Sequence, residues 1–261
     1  MVFDGFMFSE ELDVLEIRLH ELDEVVDRFV MVEATVTHSG RPRELVFPGH
    51  RQRFGRFLSK IAYVPLQMAA QTDQVRPSPW QRERLQRDHI YQAVLSSGAQ
   101  PEDSLIVSDV DEIPRATTIA GYRPDCGFCK LDMALFYYFL NLCVVEQRWT
   151  GAFIVPIGDV KTGLTDLRAL RGPILADGGW HFSYVGGVPA IQRKLQAFAH
   201  VELNTPSLVA TDHIRRCLAE RKDLFGRDWS FQVVSLDEDL PGFVKRNQRL
   251  LQHLLIQAVA A

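Results

Sequence analysis

The chain has 261 residues, 29 basic and 33 acidic side chains, a formal net charge of −4, and 46% hydrophobic residues. That apolar content supports a sizeable core and excludes a disordered chain. A mildly acidic balance without a basic excess excludes dedicated nucleic-acid binding.

The N-terminus, MVFDGFMFSEELD, carries acids where a secretory leader needs a basic region and an apolar stretch. Ser9 is placed to cap a helix from Glu10 to about Leu22. Leu12, Leu15, Leu19 and Leu22 form its apolar stripe. Arg28 to Thr35 reads as a buried strand, and Ile61 to Leu66 as a second, weaker one. A helix is expected from Trp80 to Ser97, stopped by Gly98. Ser104 to Ser108 is a third strand, running into DVDEIP. This alternation predicts an α/β fold with a mixed, mostly parallel, doubly wound sheet flanked by helices. Beyond Pro114, Gly127 to Val145 and Ala152 to Ile157 read as strands. A Gly-rich segment follows from Asp177 to Gly187, and the chain from Pro189 onward reads as helical. The last helix, about Phe243 to Val259, carries Leu250, Leu251, Leu254 and Leu255 on one face. The longest run without Asp, Glu, Lys, Arg or His, Met133 to Val145, has 13 residues. A bilayer span needs roughly 18, so no transmembrane segment is expected.

Of the basic residues, 23 are Arg and six are Lys. A GC-rich genome explains most of that excess, and with the missing leader it points to a cytoplasmic, bacterial protein. Guanidinium forks also suit phosphate. Cys126 and Cys129 form a CxxC pair, yet no second ligand pair follows for zinc. All four cysteines read as reduced and structural.

The sharpest chemical feature is Asp109-Val110-Asp111-Glu112, directly after a buried strand. Residues i and i+2 at a strand end point to one side. Asp109 and Asp111 are therefore candidates to share a hard cation, Mn²⁺ or Mg²⁺. Ligands of α/β sheets bind at this end of the strands. Glu33 emerges from the apolar run RFVMV at the same edge, ahead of Thr35 and His38. In Gly178-Gly179-Trp180-His181, the glycines permit close approach of a ligand, and His181 offers a ring nitrogen to a metal. Each feature has a plainer explanation: a turn of exposed acids, a paired buried acid, a packed histidine.

Four segments together resemble glycosyltransferase family 17: FDGFMFSEELDVLEIRLHEL, VDRFVMVEATVTHSG, SDVDEIP and GGWHFSYVGG. The resemblance runs from Phe3 to about Leu203. It implies a GT-A fold, a divalent metal, inversion at the anomeric carbon, and a nucleotide-sugar donor with UDP-GlcNAc as the animal precedent. On that reading residues 1–261 form one domain. A nucleotide-binding half covers about 1–115, an acceptor half about 116–200, and C-terminal helices the remainder. Asp109 resembles the Asp that faces ribose and metal, Asp111 the direct metal ligand, and His181 the late metal-binding histidine. Glu33, Thr35 and His38 match the motif at the nucleotide edge, and Arg84 and Arg87 a basic helix facing the diphosphate. Arg43-Glu44-Leu45 departs from the family pattern, so no phosphate role is carried onto Arg43. No Golgi anchor, stem or oxidised cysteine framework is read, so the branched N-glycan acceptor is not carried over either.

Inverting transfer needs a base to deprotonate the acceptor hydroxyl. Asp177 is the first candidate and Asp132 the second. The acceptor, a glycan, would meet the loops at Gln67 to Pro79 and Asp159 to Pro173. Two alternatives stand beside this reading. One is a haloacid-dehalogenase-type phosphatase using DVDE. The other is a non-catalytic glycan-binding protein on a GT-A scaffold. The sequence leaves oligomeric state open.

Overall fold

Val2–Phe8, VFDGFMF, forms strand β1, and every residue after the first is buried. The structure, a computed structural model, describes residues 1–69 and 77–256. Helix α1 (Leu12–Leu22) follows β1, then β2 (Arg28–Ala34), α2 (Phe47–His50), β3 (Ile61–Leu66), α3 (Pro79–Ser96) and β4 (Ser104–Asp109). These strands lie in the order β3-β2-β1-β4, all parallel. Side chains alternate between the faces, as the pleat requires. Phe6, Phe8, Phe29 and Met31 pack with Leu15 and Leu19 of α1. Phe3, Met7, Val30 and Val32 pack with Ile90 and Val94 of α3.

One boundary follows from a cap. Helix α3 begins where Ser78 and Gln81 form a reciprocal capping box, with Pro79 at the first turn. The expected cap at Ser9 is corrected: α1 starts at Leu12 without a side-chain cap. The Ser9 hydroxyl accepts a hydrogen bond from Arg43 instead.

Beyond β4 come β5 (Glu112–Pro114), α4 (Ala116–Gly121), β6 (Cys129–Tyr137), β7 (Leu142–Trp149), β8 (Phe153–Pro156), α5 (Leu164–Ala169) and β9 (Ile174–Ser183). Then follow α6 (Gly187–Ala197), α7 (Thr211–Glu220), β10 (Phe231–Val233) and α8 (Gly242–Arg246). One sheet holds the ten strands of the described residues, in the order β10-β7-β6-β8-β4-β1-β2-β3, with β9 inserted between β6 and β5. β8 joins β4 antiparallel, while β9 runs parallel to β6.

Three expectations are corrected here. The single strand over Gly127 to Val145 is two strands, turned at Tyr138, which adopts a φ of 68°. The Gly-rich segment from Asp177 is mostly strand, as part of β9. The last helix closes at Arg246, where the Asn247 amide caps the Phe243 carbonyl. Leu251, Leu254 and Leu255 are still buried, and residues 257–261 lie outside the described residues. No helix among the described residues is long and apolar enough to cross a membrane.

One buried ion pair ties these parts together. Arg18 of α1 and Asp4 of β1 are both fully buried. Arg18 donates from Nε and Nη2 to the Asp4 carboxylate at 2.8 and 2.5 Å. Nη2 also reaches the Ser108 hydroxyl at 2.7 Å, and Nη1 the carbonyls of Asp109 and Glu112 at 3.0 and 2.8 Å. The Arg18→Met substitution leaves the Asp4 charge buried and unpaired. It is expected to cost about 3–5 kcal/mol in urea unfolding, with Asp4→Leu in the same chain recovering much of that loss.

Candidate active site

The DVDE segment is the point where the parallel half meets the antiparallel half. Asp109 ends β4, Val110 turns inward, and Glu112 begins β5. Arg18 holds the turn by two carbonyls. β9 then sets His181 directly opposite Glu112, and Phe182 donates its N–H to the Asp111 carbonyl at 2.8 Å. This close pairing depends on Gly179. Its φ is +140°, and a Cβ there would lie 2.1 Å from the Ile113 oxygen. Side chains other than hydrogen are excluded by both conditions.

Three cations reach this turn from three helices. Asp109 accepts from Arg87 of α3 at 3.2 Å and from Arg168 of α5 at 3.1 Å. Burial works to raise the Asp109 pKa, but Arg168 and Arg87 overcome it and hold it at about 2. Asp111 meets the Lys194 ammonium of α6 at 2.5 Å and His181 Nε2 at 3.7 Å. Against the same effect of burial, Lys194 and His181 hold this carboxyl well below the ordinary carboxylate range. Glu112 takes Arg168 bidentately, at 2.8 and 2.5 Å, and accepts from the Trp149 indole at 2.5 Å.

Asp109, Asp111, Glu112, Arg168, His181 and Lys194 form the floor of a cleft of about 1100 Å³. Ser9, Thr37, His38 and Gln86 line one side, at the ends of β1 and β2 and along α3. Tyr137, Trp149, Tyr184 and Trp229 line the other, from the antiparallel half. His38 shares a 2.9 Å hydrogen bond with Gln86, and burial depresses its pKa.

The expected site residues separate into two groups. Asp109, Asp111, His181 and His38 come together in the cleft, with Arg87 behind Asp109. Glu33 and Thr35 do not line it. Glu33 is fully buried and accepts from Arg43, Tyr63 and the N–H groups of Val46 and Phe47. Thr35 accepts from the Met68 N–H at 3.1 Å. Arg84 faces outward to Asp166 and Asp88. Asp132 is paired with Arg148 at 3.0 Å outside the cleft lining. Asp177 lies in a separate recess with Arg115, Thr118 and Asp239. Of the expected acceptor loops, residues 70–76 fall outside the described residues, while Asp159 to Pro173 supplies Arg168.

Sequence reasoning missed Arg168, Lys194, Glu11 and Trp149. A signal existed for Lys194, one of six lysines in an arginine-rich chain. Glu11 lines the cleft, and burial raises its pKa despite the nearby Lys194.

A divalent ion would need Asp109, Asp111 and His181 as its oxygen and nitrogen donors. The residues do not fit one. Each Asp109 oxygen holds a guanidinium, and Asp111 holds an ammonium. No three metal-ligating side chains converge among the described residues.

The family model described as glycosyltransferase family 17 matches residues 1–235. The chain belongs to glycosyltransferase family 17. It is similar to the beta-1,4-mannosyl-glycoprotein 4-beta-N-acetylglucosaminyltransferases of Rattus norvegicus and Homo sapiens, at 31% identity over 121 residues. Those matches cover 43% of this chain, but 21% of the rat protein and 22% of the human one. The Mus musculus relative of the same name is also 31% identical over 121 residues. The chain thus matches about a fifth of the length of these relatives.

The Asp109 charge has a consequence for acid stability. Its folded pKa of about 2 lies below the ordinary 3.8. The stabilisation is therefore complete above the ordinary value and lost as pH falls toward the folded one. Urea midpoints measured from about pH 5 down to about pH 2 should fall less steeply for Asp109→Asn than for the unaltered chain.

Proposed function

We propose that this family 17 protein is an inverting glycosyltransferase of the GT-A type. It moves a sugar, GlcNAc, from UDP-GlcNAc to a glycan hydroxyl. The observation that carries the reading is the extent of the family match. Residues 1–235 include Asp109, Asp111, His181 and Lys194, which share one cleft at the carboxyl ends of parallel strands. That is where open α/β sheets take nucleotides. Thr37, His38 and Gln86 offer hydrogen bonds on the nucleotide side. Trp149, Tyr184 and Trp229 offer aromatic faces on the acceptor side, where sugar rings present apolar C–H surfaces.

Transfer removes a proton from the acceptor oxygen as that oxygen attacks the anomeric carbon. The bond from that carbon to the diphosphate breaks, and its electron pair leaves on UDP. Because the residues do not fit a divalent ion, no step is assigned to one. The base should be a cleft carboxylate without a cation of its own. Glu10 pairs with Arg193, Asp13 with Arg53, and Glu83 with Arg87. Asp109, Asp111 and Glu112 hold the three cations described above. Glu11 remains, with no ion pair among the described residues and a proton affinity raised by burial. A raised pKa suits a base that must accept a proton near neutrality. Asp177 and Asp132 stand outside the cleft, so the role passes to Glu11.

The test is UDP release from UDP-GlcNAc in the presence of a panel of glycans, with the product anomer read by NMR. An inverted β-linked product is the expected result. No stabilisation by any UDP-sugar, with phosphomonoester hydrolysis instead, overturns the reading. Glu11→Gln should lower kcat by about 10²–10⁴-fold with KM little changed. It should also abolish the rise of rate with pH that deprotonation of Glu11 produces. In the unaltered enzyme that rise lies above the ordinary glutamate value of 4.5.

A further inference from the structure

Lys194 is engaged on two sides. Its side chain is largely withdrawn from solvent, and its ammonium sits 2.5 Å from Asp111 Oδ2. The Tyr184 ring lies 5.3 Å away on another side. The carboxylates of Asp111 and Glu11 keep it charged against the opposing effect of burial. A divalent ion at Asp111 would have to displace this ammonium or sit beside it against strong repulsion. Arg168 is equally fixed, since its fork already spans Glu112 and reaches Asp109.

The charges make the same point. Two aspartates and a divalent ion sum to zero. Asp109, Asp111 and Glu112 with Arg87, Arg168 and Lys194 also sum to zero. The three carboxylates of the DVDE turn therefore already have three cations, one of which, Arg87, is shared with Glu83.

We infer that Lys194, with Arg87 and Arg168 behind the aspartates, takes the charge of the departing diphosphate, so that donor binding and transfer need no divalent ion. The inference rests on the glycosyltransferase reading above. An ammonium has three donors and no acceptor, and Asp111 engages one of them. The other N–H groups are available to phosphate oxygens. As the bond from the anomeric carbon to oxygen breaks, the electron pair goes to the diphosphate oxygen. Lys194 stays protonated and stabilises that oxygen by charge-assisted hydrogen bonds. The acceptor proton goes to the base, so no further reactant is required.

The experiment uses the full chain freed of metal by EDTA. Titration calorimetry measures UDP affinity in EDTA and in Mn²⁺, and UDP release from UDP-GlcNAc is followed in the same two buffers. Affinity and rate in EDTA are expected to lie within about threefold of those in Mn²⁺. Lys194→Met should weaken UDP binding in EDTA by roughly 10–100-fold, as loss of a hydrogen bond to a charged group does. Lys194→Arg, which keeps the charge, should recover most of it. UDP binding and turnover that occur only with Mn²⁺ overturn the inference and leave the glycosyltransferase reading standing. UDP binding in neither buffer overturns both. The EDTA comparison on the unaltered chain decides the matter even where Lys194→Met fails to fold.

Discussion

The arrangement depends first on one guanidinium. Arg18 has no contact with solvent, and its donors are divided between a carboxylate, a hydroxyl and the backbone of the DVDE turn. A charge in the centre of a parallel sheet is normally excluded, and here Asp4 is tolerated because Arg18 meets it. The same guanidinium lies 4.4 Å from the Phe6 ring, so its apolar surroundings are filled as well. Its remaining bonds fix the path of the chain from Asp109 to Glu112. The residues that face the cleft are thus set by a contact that lies beneath it.

Above that contact, the site is an exercise in charge matching. Carboxylates are concentrated where β4 gives way to β5, and together they draw three cations from three helices. α3 brings Arg87, α5 brings Arg168 and α6 brings Lys194. The three helices leave the two halves of the sheet, so the ion pairs also fasten those halves to each other. Removing a partner from such a buried network leaves an uncompensated charge in a poorly solvated place.

Much of the parallel half was legible in the sequence. β2, β3 and β4 are continuous apolar runs, and α3 carries its own start signal at Ser78. β1 was missed because Asp4 and Gly5 interrupt its pattern, and the partner that excuses Asp4 lies 14 residues away. The break between β6 and β7 was hidden because its turn, Tyr138 to Asn141, is uncharged and mostly buried. In the site, Asp109, Asp111 and His181 sit in short recognisable segments. Arg168 and Lys194 do not. They reach Asp109 and Asp111 from 59 and 83 residues away, a distance over which periodicity carries no information. Glu33 misled for a related reason. A buried acid at a strand end signals a partner, and here the partners are Arg43, Tyr63 and two backbone N–H groups.

The position of Arg168 bears on how such a protein can diversify. Helix α5 lies in the connection between β8 and β9, a surface segment of the kind that varies most freely and that engineers exchange to change specificity. In this chain that connection also supplies both guanidinium bonds to Glu112 and one to Asp109. A transplanted loop would arrive without that side chain, leaving Glu112 with the Trp149 indole but no cation among the described residues and Asp109 with Arg87 alone. The β8–β9 connection and the charge pairing of the DVDE turn are therefore inherited as one module, and a graft that keeps Arg168 in register is the one that can preserve both.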